Sequence, residues 1–260
     1  MLHVERITIP NPLKNYNHLL VCTETNEAMM IDPADASRCI AVAKKNGWKI
    51  TQLVSTHEHG DHICGNDDVV KACQCPLSAP IEAQASIPRV DHWLKHGDTV
   101  QVGNITLNVL DTPGHTMSHI CLYHDSDNPV LICGDTLFNA GVGNCYSGDS
   151  AVLYESIAKF ICDLPDKTRI YPGHDYIENN LEFAAVREPD NTRISELLDE
   201  VSQQTPDTRL VTDLGMERKI NPFFRLSNPS IRKGLLNDFP EMGNSDKDIF
   251  IHLRKLRDVW

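Results

Sequence analysis

The 260-residue sequence predicts an α/β protein, a layered domain of interleaved strands and helices followed by a small, mainly helical C-terminal domain. Three observations carry that expectation. Through residues 1–175, short apolar runs repeatedly end in tight polar turns with helical stretches between them. From Asp175 onward cysteine is absent and helical periodicity takes over. Finally, the loop Thr56-His57-Glu58-His59-Gly60-Asp61-His62 packs three imidazoles and a usable carboxylate at the end of one strand.

The elements follow in chain order. Ala28-Met29-Met30-Ile31 reads as a strand running into Asp32-Pro33, and Ala36 to Asn46 as a helix. Ile50 to Ser55 is a mostly apolar strand leading into the histidine loop. Ile105, Leu107 and Val109 alternate with polar residues until Asp111-Thr112-Pro113-Gly114-His115 breaks the strand. Pro129 to Cys133 is continuously apolar, as in a strand buried on both faces, and ends at Gly134-Asp135. Ala151 to Leu164 is helical, and Arg169-Ile170-Tyr171 is a strand ending at Pro172-Gly173-His174. In the second domain, residues 176–260, helices are expected over Ile177–Arg187, Ile194–Gln203 and Ser230–Asn237. A capped helix start lies at Ser245-Asp246-Lys247-Asp248.

Composition bounds the function. With 41% hydrophobic residues the chain can build one large or two unequal domains. No run approaches the roughly 20 apolar residues of a membrane span, and Met1 to Leu20 shows no secretory or transit pattern. A formal charge of −12, without a dense basic run, argues against a nucleic-acid partner. Nine cysteines, without a C-x-x-C pair, read as reduced thiols in a cytoplasm. A monomer is expected.

Four strand ends carry His or Asp: His57/His59/Asp61/His62, His115, Asp135 and His174. Imidazole nitrogen and carboxylate oxygen suit a divalent cation. Positions i and i+2 of an extended segment face the same way, so His57 and His59 can reach one ion. Seven such groups exceed one tetrahedral ion and fit two ions sharing a carboxylate. Singly, a His after Pro-Gly is a turn residue and Asp135 an ordinary N-cap, but crowding the first four together has no structural purpose. Glu58 faces away from the ligand side. Gly60 leaves room for substrate. His3, His18, His92, His96, His119, His124 and His252 are read as surface or core residues.

The T-H-x-H-x-D-H stretch with spaced G-H, G-D and G-H resembles the metallo-β-lactamase superfamily, an αββα sandwich. Further landmarks narrow the resemblance to its glyoxalase II branch, the hydroxyacylglutathione hydrolases, which add a helical C-terminal domain. These are Asp135-Thr136-Leu137-Phe138, Tyr171 to Tyr176, Glu217 with Asn221-Pro222-Phe223-Phe224-Arg225, Leu253-Arg254 and Arg257-Asp258. The resemblance implies that His57, His59 and His115 hold one ion, that Asp61, His62 and His174 hold the other, and that Asp135 bridges. Zinc is the expected metal, with iron or manganese as alternatives. Asp61 and Asp135 would act catalytically through the water that the ions activate, which attacks a glutathione thioester, typically S-D-lactoylglutathione. This is the chemistry of methylglyoxal detoxification.

Substrate capture departs from the branch pattern. In the turn Gly141 to Gly148, Asn144 stands where a Lys or Arg is usual, Val142 where Cys is usual and Ser147 where Glu is usual. Tyr146, Tyr176 and Arg254 match, and Arg257 replaces a common Lys. Arg254 and Arg257, at i and i+3, would share a helix face toward the glycine carboxylate of glutathione. The loss of the cation at Asn144 keeps open a thioesterase for a different thiol carrier. The other enzyme alternative of the same fold is a mononuclear-iron persulfide dioxygenase. A metal-dependent scaffold is disfavoured by seven intact ligand positions.

Overall fold

The computed structural model describes residues 1–260. β1 (Leu2–Thr8) and β2 (Tyr16–Cys22) form an antiparallel pair, and β3 (Glu27–Ile31) continues it. Helix α1 (Ala36–Asn46) then crosses to β4 (Lys49–Val54), which runs parallel to β3. The short α2 (Gly60–Ile63) and α3 (Asn66–Cys73) lead to β5 (Leu77–Pro80) and β6 (His92–Leu94). Together these strands make a six-stranded sheet in the order β1-β2-β3-β4-β5-β6. A second sheet contains β7 (Thr99–Val102), β8 (Ile105–Asp111), β9 (Ile120–His124), β10 (Val130–Gly134) and, after α4 (Ser150–Phe160), β13 (Arg169–Pro172). Its order is β13-β10-β9-β8-β7. A two-stranded ribbon, β11 (Leu137–Phe138) and β12 (Gly141–Val142), follows β10.

Burial defines four layers. Leu20, Met29, Ile31 and Val54 of the first sheet meet Leu107, Val109, Leu122 and Ile132 of the second in a core between the sheets. The other face of the first sheet, through Leu19, Val21, Met30 and Leu53, packs on Ala36, Cys39, Ala43 and Val69 of α1 and α3. The outer face of the second sheet, through Cys121, Leu131, Cys133 and Ile170, packs on Leu153 and Ile157 of α4 and on Phe250 and Leu253 near the C-terminus. Helix, sheet, sheet, helix is thus the order of layers. Strands buried on both faces explain why β2 and β10 lack polar-apolar alternation.

The chain ends in α5 (Ile177–Arg187), α6 (Thr192–Ser202), α7 (Leu214–Ile220), α8 (Pro229–Asp238) and α9 (Asp246–Asp258). Ser245 caps α9 with a reciprocal capping box to Asp248. None of the helices is long and apolar enough to cross a membrane. The turn Pro206–Thr208 lies beside β1, tied by Thr8 Oγ1 to Pro206 O (3.2 Å) and by the Arg6 guanidinium to the Arg209 and Leu210 carbonyls.

Three differences from the sequence reading stand out. Leu2–Thr8 and Tyr16–Cys22 form strands where the sequence showed no assigned element, because β1 alternates only weakly and β2 not at all. Helix α4 stops at Phe160 instead of Leu164, since the Ile161 and Cys162 amides both donate to Ile157 O and turn the chain toward Pro165. The seven-residue α7, too short for a periodic signal, places Glu217 in the interior.

Candidate metal centre

The ends of β3, β4, β8, β10 and β13 converge at one edge of the sandwich. Close approach there depends on Gly134, whose φ of 45° is left-handed, where a Cβ would lie 2.6 Å from His119 Nε2 and 2.7 Å from Thr56 Oγ1. Gly173 N donates to Gly134 O (2.9 Å), which brings the Asp135 and His174 loops together.

The seven expected side chains meet as two adjoining trios around one carboxylate. In the first, His57 Nε2 lies 3.1 Å and His115 Nε2 2.9 Å from His59 Nδ1. In the second, His62 Nε2 and His174 Nε2 are 3.1 Å apart, with Asp61 Oδ2 3.4 and 3.5 Å from them. Asp135 Oδ2 sits 3.4 Å from His115 Nε2 and 3.1 Å from His174 Nε2, between the trios. Tetrahedral ligands with metal bonds of 2.0–2.1 Å lie roughly 3.3 Å apart. The spacings therefore fit an ion in each trio.

Hydrogen bonds on the far side of each ring show why bare nitrogens face inward. His57 Nδ1–H donates to Thr56 Oγ1 (3.0 Å), whose hydroxyl is given to Asp32 Oδ2 (2.6 Å). His62 Nδ1–H donates to the same Asp32 oxygen (3.0 Å). His115 Nδ1–H donates to Asn144 O (2.7 Å) and His174 Nδ1–H to Leu13 O (2.8 Å). His59 Nε2–H donates to Ser147 Oγ (2.8 Å), which passes its own proton to His115 O (3.3 Å). In the neutral form of each ring, the remaining nitrogen is then a lone pair pointing at its neighbours. Such an arrangement is repulsive until a cation sits among them. Buried Asp135 Oδ1 has no hydrogen-bond partner, a second sign of the same requirement.

Electrostatics agree. Burial, with His62 and His119 nearby, holds His57 well below the usual imidazole range, and burial also lowers His115, so both stay neutral ligands. Burial opposes a proton on His62 and His174, but the Asp135 carboxylate, helped at His62 by Asp32, overcomes it and raises both. Burial would raise Asp135, yet His174 and His62 hold it well below the carboxylate range. The second trio is thus a place that demands positive charge.

Several orienting residues escaped the sequence reading. Asp32, 3% exposed, accepts Thr56 N (2.7 Å) as well as the bonds above. With His57 and His62 it forms a further close trio, but its oxygens are already occupied, so it aims ligands. Asn15 Nδ2 holds Asp61 Oδ2 (2.9 Å). His119, read as surface or core, is buried, stacks on His57 at 4.9 Å and accepts Asp135 N at Nε2 (3.0 Å). Glu58 turns away from the ligands and accepts the Thr116 hydroxyl (3.1 Å) and that of Ser118, bracing the His115 loop.

A cavity of about 880 Å³ beside Asp67, Lys71 and Arg89 holds none of these groups. A 420 Å³ cavity opens on the trios and shares Asn144, Tyr146 and Tyr176 with a 300 Å³ cavity lined by Phe138, Asn180, Arg254, Arg257 and Trp260. Tyr176 stacks on His174 at 4.9 Å. The two arginines differ. Arg254 is 4% exposed and committed, with Nη1 on Val142 O (2.8 Å) and Gly143 O (3.2 Å) and Nε on Asp258 (3.1 Å). Arg257 donates Nε and Nη2 to Asn180 Oδ1 (3.2 and 3.0 Å) and leaves Nη1 without a partner in the protein.

The sequence pattern of the "Metallo-beta-lactamase superfamily" matches residues 13–174, and that of the "Hydroxyacylglutathione hydrolase C-terminus" matches residues 175–260. Proteins named hydroxyacylglutathione hydrolase from Nitrosococcus oceani and a Polaromonas species are 49% and 46% identical to this chain, each over 99% of both sequences. Among solved structures, ETHE1 from Myxococcus xanthus overlays with a TM-score of 0.68 at 22% identity, covering 99% of both chains. The BLEG-1 B3 metallo-beta-lactamase overlays at 0.67 and 23% identity, over 85% of this chain and 99% of its own. At such identities these two structures speak for the fold.

Proposed function

The chain belongs to the hydroxyacylglutathione hydrolase branch of the metallo-beta-lactamase superfamily, and from that premise we propose that it hydrolyses S-(2-hydroxyacyl)glutathione, typically S-D-lactoylglutathione, using two divalent cations. The observation that carries the proposal is the inward convergence of five bare imidazole nitrogens and the Asp61 and Asp135 carboxylates. His57, His59 and His115 would hold one ion, Asp61, His62 and His174 the other, and Asp135 both. Zinc suits this nitrogen-rich set, and iron or manganese would also be accepted. When bound, the cations supply a water deprotonated near neutral pH and an electrophile for the thioester carbonyl.

The protein's own groups do the rest. Asp135 and Asp61 fix the spacing of the two trios and so the place of attack. Tyr146 and Tyr176 form the passage between the two cavities, and the free Nη1 of Arg257 meets a carboxylate of the thiol carrier. Arg254 holds the Val142–Gly143 backbone that walls this passage. Asn144 presents an amide, so the carrier gains a hydrogen bond there but no ion pair. A thiolate with a pKa of about 8.5 leaves without a proton donor. Burial raises Cys145, the cysteine nearest the passage in sequence, to about 12, which suits a mechanism without a thiol nucleophile.

We further propose residues 1–175 as the metal-bearing domain and 176–260 as the carrier-binding domain, in a monomeric cytoplasmic enzyme. The thiols of Cys39, Cys121 and Cys133, packed in the cores as apolar groups, support a reducing setting. The test is loss of thioester absorbance with S-D-lactoylglutathione on protein of measured metal content, beside the same acyl group on coenzyme A. Hydrolysis requiring two ions per chain and preferring the glutathione ester is expected. Full activity in metal-stripped protein, or no turnover with both ions bound, would overturn the proposal.

A further inference from the structure

The cavity over the two trios is walled mainly by polar and ligand groups. Its tyrosines stand on the side it shares with the Arg257 cavity, where the carrier lies. Leu13 is the aliphatic side chain in the wall, and it is 48% exposed. Exposed leucines are common and signify little singly. This one is held firmly, however. Leu13 O accepts His174 Nδ1 (2.8 Å), and Lys14 O accepts Asp175 N (2.9 Å). Asn15 is bonded to Asp61 (2.9 Å) and to Asn11 (2.8 Å), and Lys14 adopts a left-handed φ of 55°. The loop is therefore fastened at several points to the second trio, which fixes the backbone of Leu13 at the cavity wall.

Gly60 lines the same cavity, and a Cβ there would meet nothing within 4 Å. Open space at Gly60 and an aliphatic wall at Leu13 make a pocket for a small carbon substituent. With the carbonyl at the trios and the sulfur leaving toward Tyr146 and Tyr176, the acyl chain points this way. Resting on the thioesterase reading, we propose that Leu13 contacts the acyl substituent and sets the upper limit on its size.

The test compares holoenzyme carrying Leu13→Ala or Leu13→Trp with the parent on three glutathione thioesters: acetyl, D-lactoyl and D-mandeloyl. A few methylenes in an apolar pocket discriminate by about tenfold or more. Leu13→Ala should raise the mandeloyl-to-lactoyl ratio of kcat/KM about tenfold, and Leu13→Trp should lower it by a similar factor. A ratio is insensitive to partial loss of folded or metal-loaded protein. The anchoring bond to His174 uses the backbone carbonyl and survives both changes. Ratios within about twofold of the parent in both variants would overturn the role of Leu13 while leaving the thioesterase reading intact. A parent inactive on all three esters with both ions bound would instead remove that reading and this inference with it.

Discussion

Asp32 offers the most searching test of the metal centre, because one carboxylate orients a ligand of each trio. Its Oδ2 accepts His62 Nδ1 (3.0 Å) and the Thr56 hydroxyl (2.6 Å) that in turn receives His57 Nδ1–H, while Oδ1 accepts Thr56 N (2.7 Å). In Asp32→Asn, the amide oxygen can serve only one side. If it stays on Thr56 N, the NH2 faces His62 Nδ1 and moves that ring's proton to Nε2, where the ion must bind. If it flips, the buried Thr56 N–H loses its acceptor at a cost of about 1–3 kcal/mol. Removing such a partner weakens metal binding about 10- to 100-fold. The second trio should lose about that factor and the first, one hydroxyl further away, about tenfold. Thr56→Val interrupts only the path to His57 and should reverse the ranking. Competition with a chromophoric chelator, alongside metal content and kcat, measures both affinities. Two ions held by Asp32→Asn as tightly as by the parent would refute the tautomer argument.

Further expectations follow from other side chains. Asp135→Ala should reduce kcat by at least about a thousandfold, since it removes the group joining the trios, while folding measured by circular dichroism persists. Arg257→Ala should raise KM for glutathione thioesters with little change in kcat, whereas Arg254→Ala, which unties the Val142–Gly143 carbonyls, should lower Tm. Equal effects of the two on KM and Tm would contradict the distinct roles assigned to them. Burial raises Glu217 to about 7 from an ordinary 4.5, despite bonds from Thr212, Asn221 and the Ala140 amide. The folded state then binds a proton that the unfolded chain releases, so stability falls as pH climbs from about 4.5 through 7. Glu217→Gln should remove that slope, and denaturant titrations should show its stability relative to the parent improving by roughly 3 kcal/mol between pH 4 and pH 8. A constant difference across that range would show that Glu217 is ionised at little cost in the folded protein.

What could be read in the sequence, and what could not, follows from the physics of each signal. β10 and β13 are short apolar runs stopped by Gly or Pro next to a His or Asp, and β4 runs directly into the crowded histidine loop, so both element and site residue announce themselves locally. α1 and α9 carry caps and a helical period, and α5 a helical stretch ended just before Pro189. By contrast, the orienting groups Asp32, Thr56, Asn15, His119 and Ser147 are ordinary residue types whose partners lie elsewhere in the chain. Asp32 at the end of a strand before Pro33 reads as a turn, and only the fold reveals that it faces His62, 30 residues on. Ser147, read as a departure from the family's Glu, proves to be the acceptor that fixes the His59 tautomer. The unequal roles of Arg254 and Arg257 were equally hidden, because an i, i+3 spacing does not show which side chain faces backbone carbonyls.

The turn at Pro206–Thr208 has a consequence for solubility. β1 pairs on one side only, with β2. Its other margin is shielded by a piece of chain that arrives some two hundred positions later, clasped through Arg6 and Thr8. An unshielded strand margin is a template for another molecule's backbone. A fragment ending at Asp175 would lose that shield together with the apolar cover of Phe250 and Leu253, and is expected to precipitate during refolding where the whole chain stays in solution. The late segments thus act as a built-in guard against self-association for a sheet completed long before they emerge from the ribosome.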